Sequence, residues 1–111
     1  MNLHIPLRFL TMLFCCAMFS NCKKDNKKLT PTCDGSRPTF TNGVKTIIDN
    51  TCASSGCHPG YSTYNGIKGI TQNGDFTKEV LQDQTMPKNS SLSQEQINTL
   101  QCWANNGFPE Q

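Results

Sequence analysis

A chain of 111 residues has room for one small folded domain once a targeting segment is set aside, and its formal charge of +2 comes from a single lysine cluster (Lys23, Lys24, Lys27, Lys28). From Leu29 onward there are five basic and seven acidic side chains, and no basic stripe interleaves with aromatics, so nothing points to nucleic acid as a partner. No Ser-His-Asp set, paired catalytic carboxylates or phosphate-binding glycine loop occurs, so the chain is not read as an enzyme.

The amino terminus reads as a secretory signal. Arg8 and the terminal amine supply positive charge, and Phe9 to Phe19 is an uncharged, largely apolar run, too short for the roughly 20 residues that span a bilayer. Cys15 and Cys16 lie inside it and count only as apolar bulk. The run ends at Phe19-Ser-Asn-Cys22, which resembles the lipobox of bacterial lipoproteins, although Phe19 and Asn21 stand where Leu and a small residue are usual. The resemblance implies a signal peptide over 1–21, lipidation of Cys22 and a membrane anchor through that N-terminal lipid. It further implies a place in the cell envelope of a Gram-negative bacterium, periplasmic or outer-membrane associated. Ordinary signal-peptidase cleavage, with Cys22 as a leftover thiol, is the alternative. Residues 22–32 then form a lipidated, polar, flexible linker, and the domain is expected over 33–111.

Inside the domain, Thr41 is a plausible N-cap, and Val44, Ile47 and Ile48 make the stripe of a short helix from about 42 to 51. This helix runs straight into Cys52-Ala-Ser-Ser-Gly-Cys57-His58. Pro59-Gly60 then predicts a turn. Tyr61, Tyr64, Ile67 and Ile70 predict a helix from about 62 to 72, weakened by Gly66 and Gly69 and stopped at Asn73-Gly74. A third short helix from about 76 to 83 offers Phe76, Val80 and Leu81 to the interior. Thr85-Met86-Pro87 follows as an extended loop, because a residue before proline is pushed out of the helical region. Ser93 with Gln96 forms a capping box for the last helix, Gln94 to Asn106, whose inner face is Ile97, Leu100, Trp103 and Ala104, with Gly107 just past its end. No stretch alternates convincingly as a strand, so the fold class is all-α, with three to four short helices.

Two cysteines followed at once by a histidine are the attachment chemistry of a c-type haem: the thiols add to the porphyrin vinyl groups and the imidazole meets the iron. Four residues separate Cys52 from Cys57, where the familiar motif has two; some multihaem cytochromes use four. A local Cys52–Cys57 disulfide beside an exposed His58 is the competing reading, and a zinc site built from Cys52, Cys57, His58 and one distant cysteine is a third.

The order of helix, Cys-Cys-His, short helices, Met-Pro loop and capped helix with Trp and Gly resembles the small cytochrome c domains of secreted bacterial proteins over about residues 39–108. That resemblance implies one covalent haem c, with thioethers at Cys52 and Cys57, His58 as proximal ligand, Met86 as distal ligand and redox proteins as partners. Such a haem gives Ile47, Ile70, Leu81, Leu100 and Trp103 an apolar body to pack around, although Trp103 reads equally as plain core. Lys78 and Lys88 stand close enough in sequence to replace Met86, which by its chemistry alone also reads as core filler. If Cys52 and Cys57 are spent on haem, Cys33 and Cys102 have only each other and are expected to form a disulfide. The reading is thus a lipid-anchored monohaem electron carrier; the alternative is a haemless, disulfide-stapled lipoprotein domain that binds a partner.

Overall fold

The computed structural model describes residues 27–54 and 56–111. The signal segment, Cys22 and residues 23–26 of the linker lie outside the described residues. Three α-helices, α1 (Val44–Thr51), α2 (Tyr64–Gln72) and α3 (Gln94–Asn105), are joined by a 3₁₀ turn over Pro59–Ser62 and a π-helical segment over Thr77–Gln82. No strand forms among the described residues beyond a single Thr39–Gly43 bridge.

α1 buries Val44, Ile47 and Ile48, as its stripe predicts. Its start differs from the expectation. Gly43, at φ 102°, is the N-cap, a backbone angle that only glycine adopts without strain. The first-turn amides of Val44 and Lys45 donate to the carbonyls of Thr39 and Phe40 instead of to a side-chain cap. Thr41 is engaged elsewhere: its amide and its hydroxyl both donate to the carbonyl of Glu110, at 3.0 and 3.1 Å.

α2 begins two residues later than expected, with Thr63 as N-cap accepting from the Gly66 amide at 3.1 Å. The 3₁₀ turn consumes the residues before it. Gly66 is required by packing: a Cβ there would meet the Gly60 carbonyl oxygen at 1.8 Å. α2 ends at Asn73, whose side chain accepts from the Asp75 amide and turns the chain at Gly74. Phe76, Val80 and Leu81 are buried as expected, but the helix carrying them is wide: the Asp83 amide donates to Lys78, five residues back, at 2.7 Å.

The Ser93–Gln96 capping box is present in both directions, at 3.1 and 2.9 Å. α3 then sends Ile97, Leu100 and Trp103 into the core, while Ala104 is only partly covered. Trp103 is fully buried at the centre, edge-on to Phe76 and Phe108 at ring-centroid separations of 5.6 and 4.9 Å and tilted against Phe40 at 6.1 Å. The tail past Gly107 folds back over it, so that the Pro109 carbonyl accepts both the Trp103 indole N–H and the Phe40 amide at 2.9 Å.

Ordered contacts start before Cys33. The Gln84 side-chain amide bonds both backbone groups of Leu29, donating to its carbonyl at 2.6 Å and accepting from its amide at 2.8 Å. Asn98 accepts from the Thr32 amide and Gln94 donates to the Thr30 carbonyl. Residues 29–32, expected as spacer, are therefore a strap laid along α3, and the Cys33–Cys102 disulfide fastens it (Cα–Cα 4.9 Å).

Candidate functional site

A single cavity of about 700 Å³ brings the sequence-predicted haem residues together: Cys52, Cys57, His58 and Met86 all line it. Three of them come from the loop that α1 delivers into the cavity mouth. There the Cys52 and Ala53 amides still donate to Ile48, and the Cys57 amide donates to Ser54 and the His58 amide to the Cys52 carbonyl, each at 3.2 Å. These bonds fold the Cys-Cys-His stretch into a compact turn with Cys52 half-buried and Cys57 and His58 exposed. Met86 arrives from the opposite end of the sequence interval, on the loop after the π-helical segment, ahead of a cis bond to Pro87.

Cys52 and Cys57 are both free, so the local disulfide is not formed. Burial pushes the Cys52 thiol above its ordinary value; the Thr51 hydroxyl, 3.4 Å from its sulfur, pulls it partly back, and Cys57 nearby opposes that. The His58 ring stacks on Tyr61, centroids 4.6 Å apart and planes within 13°, an orientation the sequence reading did not anticipate although Tyr61 follows three residues later in a turn. Among the described residues the one group of His, Cys, Asp and Glu donors close enough to share an ion is Cys33, Asp34 and Cys102. Two of these are joined as a disulfide, and the donor atoms of Cys52, Cys57 and His58 do not form such a group.

The interior wall of the cavity is apolar: Ile67, Ile70, Phe76 and Val80, with Pro87 beside Met86. Asn50, Ser54, Asn89 and Ser90, with the carboxylate-bearing Asp75 and Glu79, give it a polar margin. This corrects one expectation: of Ile47, Ile70, Leu81, Leu100 and Trp103, only Ile70 lines the cavity. The other four belong to the core behind it, closed around Trp103. Ile67 and Phe76 replace them as the cavity's inner wall, a role their helical stripes show only as "inward". Lys88 also lines the cavity, whereas Lys78 does not; Asp83, 2.8 Å away, holds Lys78 at the surface and raises its pKa, with Glu79 adding to the effect.

The segment 86–90 has space on both sides. Met86, Pro87, Lys88 and Ser90 also border a second cavity of about 670 Å³, which the strap residue Leu29 and α3's Ile97 close from beyond. What fixes the loop is hydrogen bonding to Glu79, whose carbonyl accepts the amides of Thr85 and Met86 at 2.9 and 3.2 Å. Its carboxylate accepts the Thr85 hydroxyl, and that bond, ahead of the Lys78 ammonium, holds the Glu79 carboxyl below its ordinary pKa.

Two free thiols, an imidazole and a thioether bordering one largely apolar cavity are a donor set that fits a covalently held macrocycle with an iron centre. Compared with protein-family models, with curated proteins and with solved structures, the chain matches none.

Proposed function

We propose that this protein is an extracytoplasmic, lipid-anchored monohaem c-type cytochrome that transfers electrons. Cys52 and Cys57 would hold one haem c through thioethers, each sulfur–hydrogen bond adding across a vinyl group, and His58 and Met86 would be the side chains offered to its iron. The observation that carries the reading is that these four residues border one apolar cavity with both thiols unpaired, while the other two cysteines of the described domain are joined to each other.

The bound haem supplies a one-electron couple. The chain's residues do the rest. Ile67, Ile70, Phe76 and Val80 exclude water from one side of the site, which raises the cost of charge there. With imidazole and thioether both bound to its iron, such a haem would have a raised potential and no open coordination position, which suits electron transfer. Exposed Cys57 and His58 keep the site within reach of a redox partner protein. Lipid on Cys22, outside the described residues, ties the domain to the envelope membrane through its buried methylenes.

Protein made in a host with cytochrome c assembly machinery should carry one haem that survives acid-acetone extraction, and Cys52→Ala with Cys57→Ala should abolish it. A mass equal to the polypeptide plus any lipid refutes the haem and leaves the partner-binding lipoprotein domain. Cys22→Ser should release the protein from the membrane or block its processing; unchanged processing and membrane association would remove the anchor from the reading.

A further inference from the structure

We propose that Glu79 is the positioning residue for Met86, its carbonyl and carboxylate together holding the Thr85–Met86 segment so that the methionine faces the cavity. The inference rests on the reading of Met86 as an axial ligand and adds what aims it.

The argument starts from the wide helical turn. In an α-helix the Asp83 amide would donate to Glu79; here it donates to Lys78, and the Glu79 carbonyl is left open to the chain that follows. Thr85 and Met86 fill it with two amides. The Thr85 hydroxyl then reaches the Glu79 carboxylate, so one residue grips the loop by backbone and side chain at once. Packing alone is not enough for this, because Met86 rests against the core only as a partly buried side chain. Met86, Pro87 and Lys88 have a cavity on each side, and Met86 is only partly buried. A methionine held by packing alone in such a place would sample several rotamers, since its unbranched side chain adapts to irregular space. On the far side, Gln84 fastens the same segment to the Leu29 strap, at φ 54°. The loop is thus pinned just before Met86 and open after it, which fixes where the sulfur starts while leaving Pro87–Ser90 free to fit a ligand.

The test compares haem-loaded wild type with Thr85→Val, Thr85→Ser, Glu79→Gln and Met86→Ala. Wild type should show the weak near-infrared band of a methionine–iron bond and resist carbon monoxide when reduced. Thr85→Val and Glu79→Gln should weaken that band and bind carbon monoxide roughly threefold more readily, while Thr85→Ser keeps wild-type behaviour, because an exposed charge-assisted hydrogen bond shifts the open population by about that much. Amide exchange at Thr85 and Met86 should quicken in the same two variants with the core amides unchanged, which a general loss of stability would not produce. A wild-type band that Thr85→Val and Glu79→Gln leave intact, with unchanged carbon monoxide binding, overturns the positioning role alone. A wild-type protein without the band that binds carbon monoxide overturns Met86 as ligand and this role with it, and a chain that takes up no haem overturns both together with the function.

Discussion

Removing the Cys33–Cys102 disulfide by the pair Cys33→Ala and Cys102→Ala should cost about 4 kcal/mol. The bridge closes a loop of 69 positions, and the chain-entropy account of a loop that long gives this figure at room temperature. The effect should lie almost wholly in the unfolded chain. In the folded protein the strap keeps its bonds from Gln84, Gln94 and Asn98, and Cys102 is buried within α3, so its backbone has little freedom to gain. For a domain of this size, with total stability on the order of 5–10 kcal/mol, that is about half. Guanidinium unfolding, followed by the fluorescence of Trp103, reads both consequences. The midpoint should fall and the denaturant slope should rise, because an unbridged chain expands further on unfolding. A loss below about 1 kcal/mol with an unchanged slope would refute the reasoning, and would mean that the bridge does little to restrain the unfolded chain.

In protein that carries no haem, Cys57 should react with iodoacetamide faster than Cys52 at neutral pH, because Cys57 is exposed while burial holds the Cys52 thiol in its protonated form; equal rates would contradict the half-buried turn. The sign of the accompanying stability change follows from the raised Cys52 pKa. The haem-free protein should be fully stabilised by this group below its ordinary value of 9.0 and lose that contribution as pH rises through the higher folded value, which a denaturation series from pH 7 to alkaline conditions checks. Gly66→Ala should destabilise, although alanine is favoured over glycine by about 1 kcal/mol inside a helix, because the new Cβ meets the Gly60 carbonyl at 1.8 Å; a raised melting temperature would show that the 3₁₀ turn yields. Ser93→Ala should cost about 1 kcal/mol through loss of the capping box, and no change in melting temperature would count against the cap.

The sequence by itself determined where the helices lie and which faces they bury. Val44, Ile47, Ile48, Phe76, Val80, Leu81, Ile97, Leu100 and Trp103 recur at helical spacing, and Ser93 with Gln96 marks a helix start that depends on four consecutive residues only. Spacing of this kind is local, so it survives in the sequence unaided. The meeting of Cys52, Cys57 and His58 with Met86 was legible as a motif, but the cavity that joins them was not. Tertiary structure decided which core residues also face the cavity: Trp103 stays wholly within the core beside Phe40, Phe76 and Phe108, whereas Ile67 and Phe76, members of the same core, also line the cavity. A helical stripe states that a side chain faces inward and leaves open what it faces. The same limit explains α1. Thr41 has the chemistry of an N-cap, yet the returning tail claims its amide and hydroxyl through Glu110, and the helix start moves to Gly43. Gly66 looked like a weakness of α2 until the Gly60 carbonyl appeared beside it. Leu29–Thr32 has the polar composition of a linker and is nonetheless held, because its partners Gln84, Gln94 and Asn98 lie more than fifty positions away. Contacts between residues that distant depend on how the whole chain packs, and no local pattern encodes them.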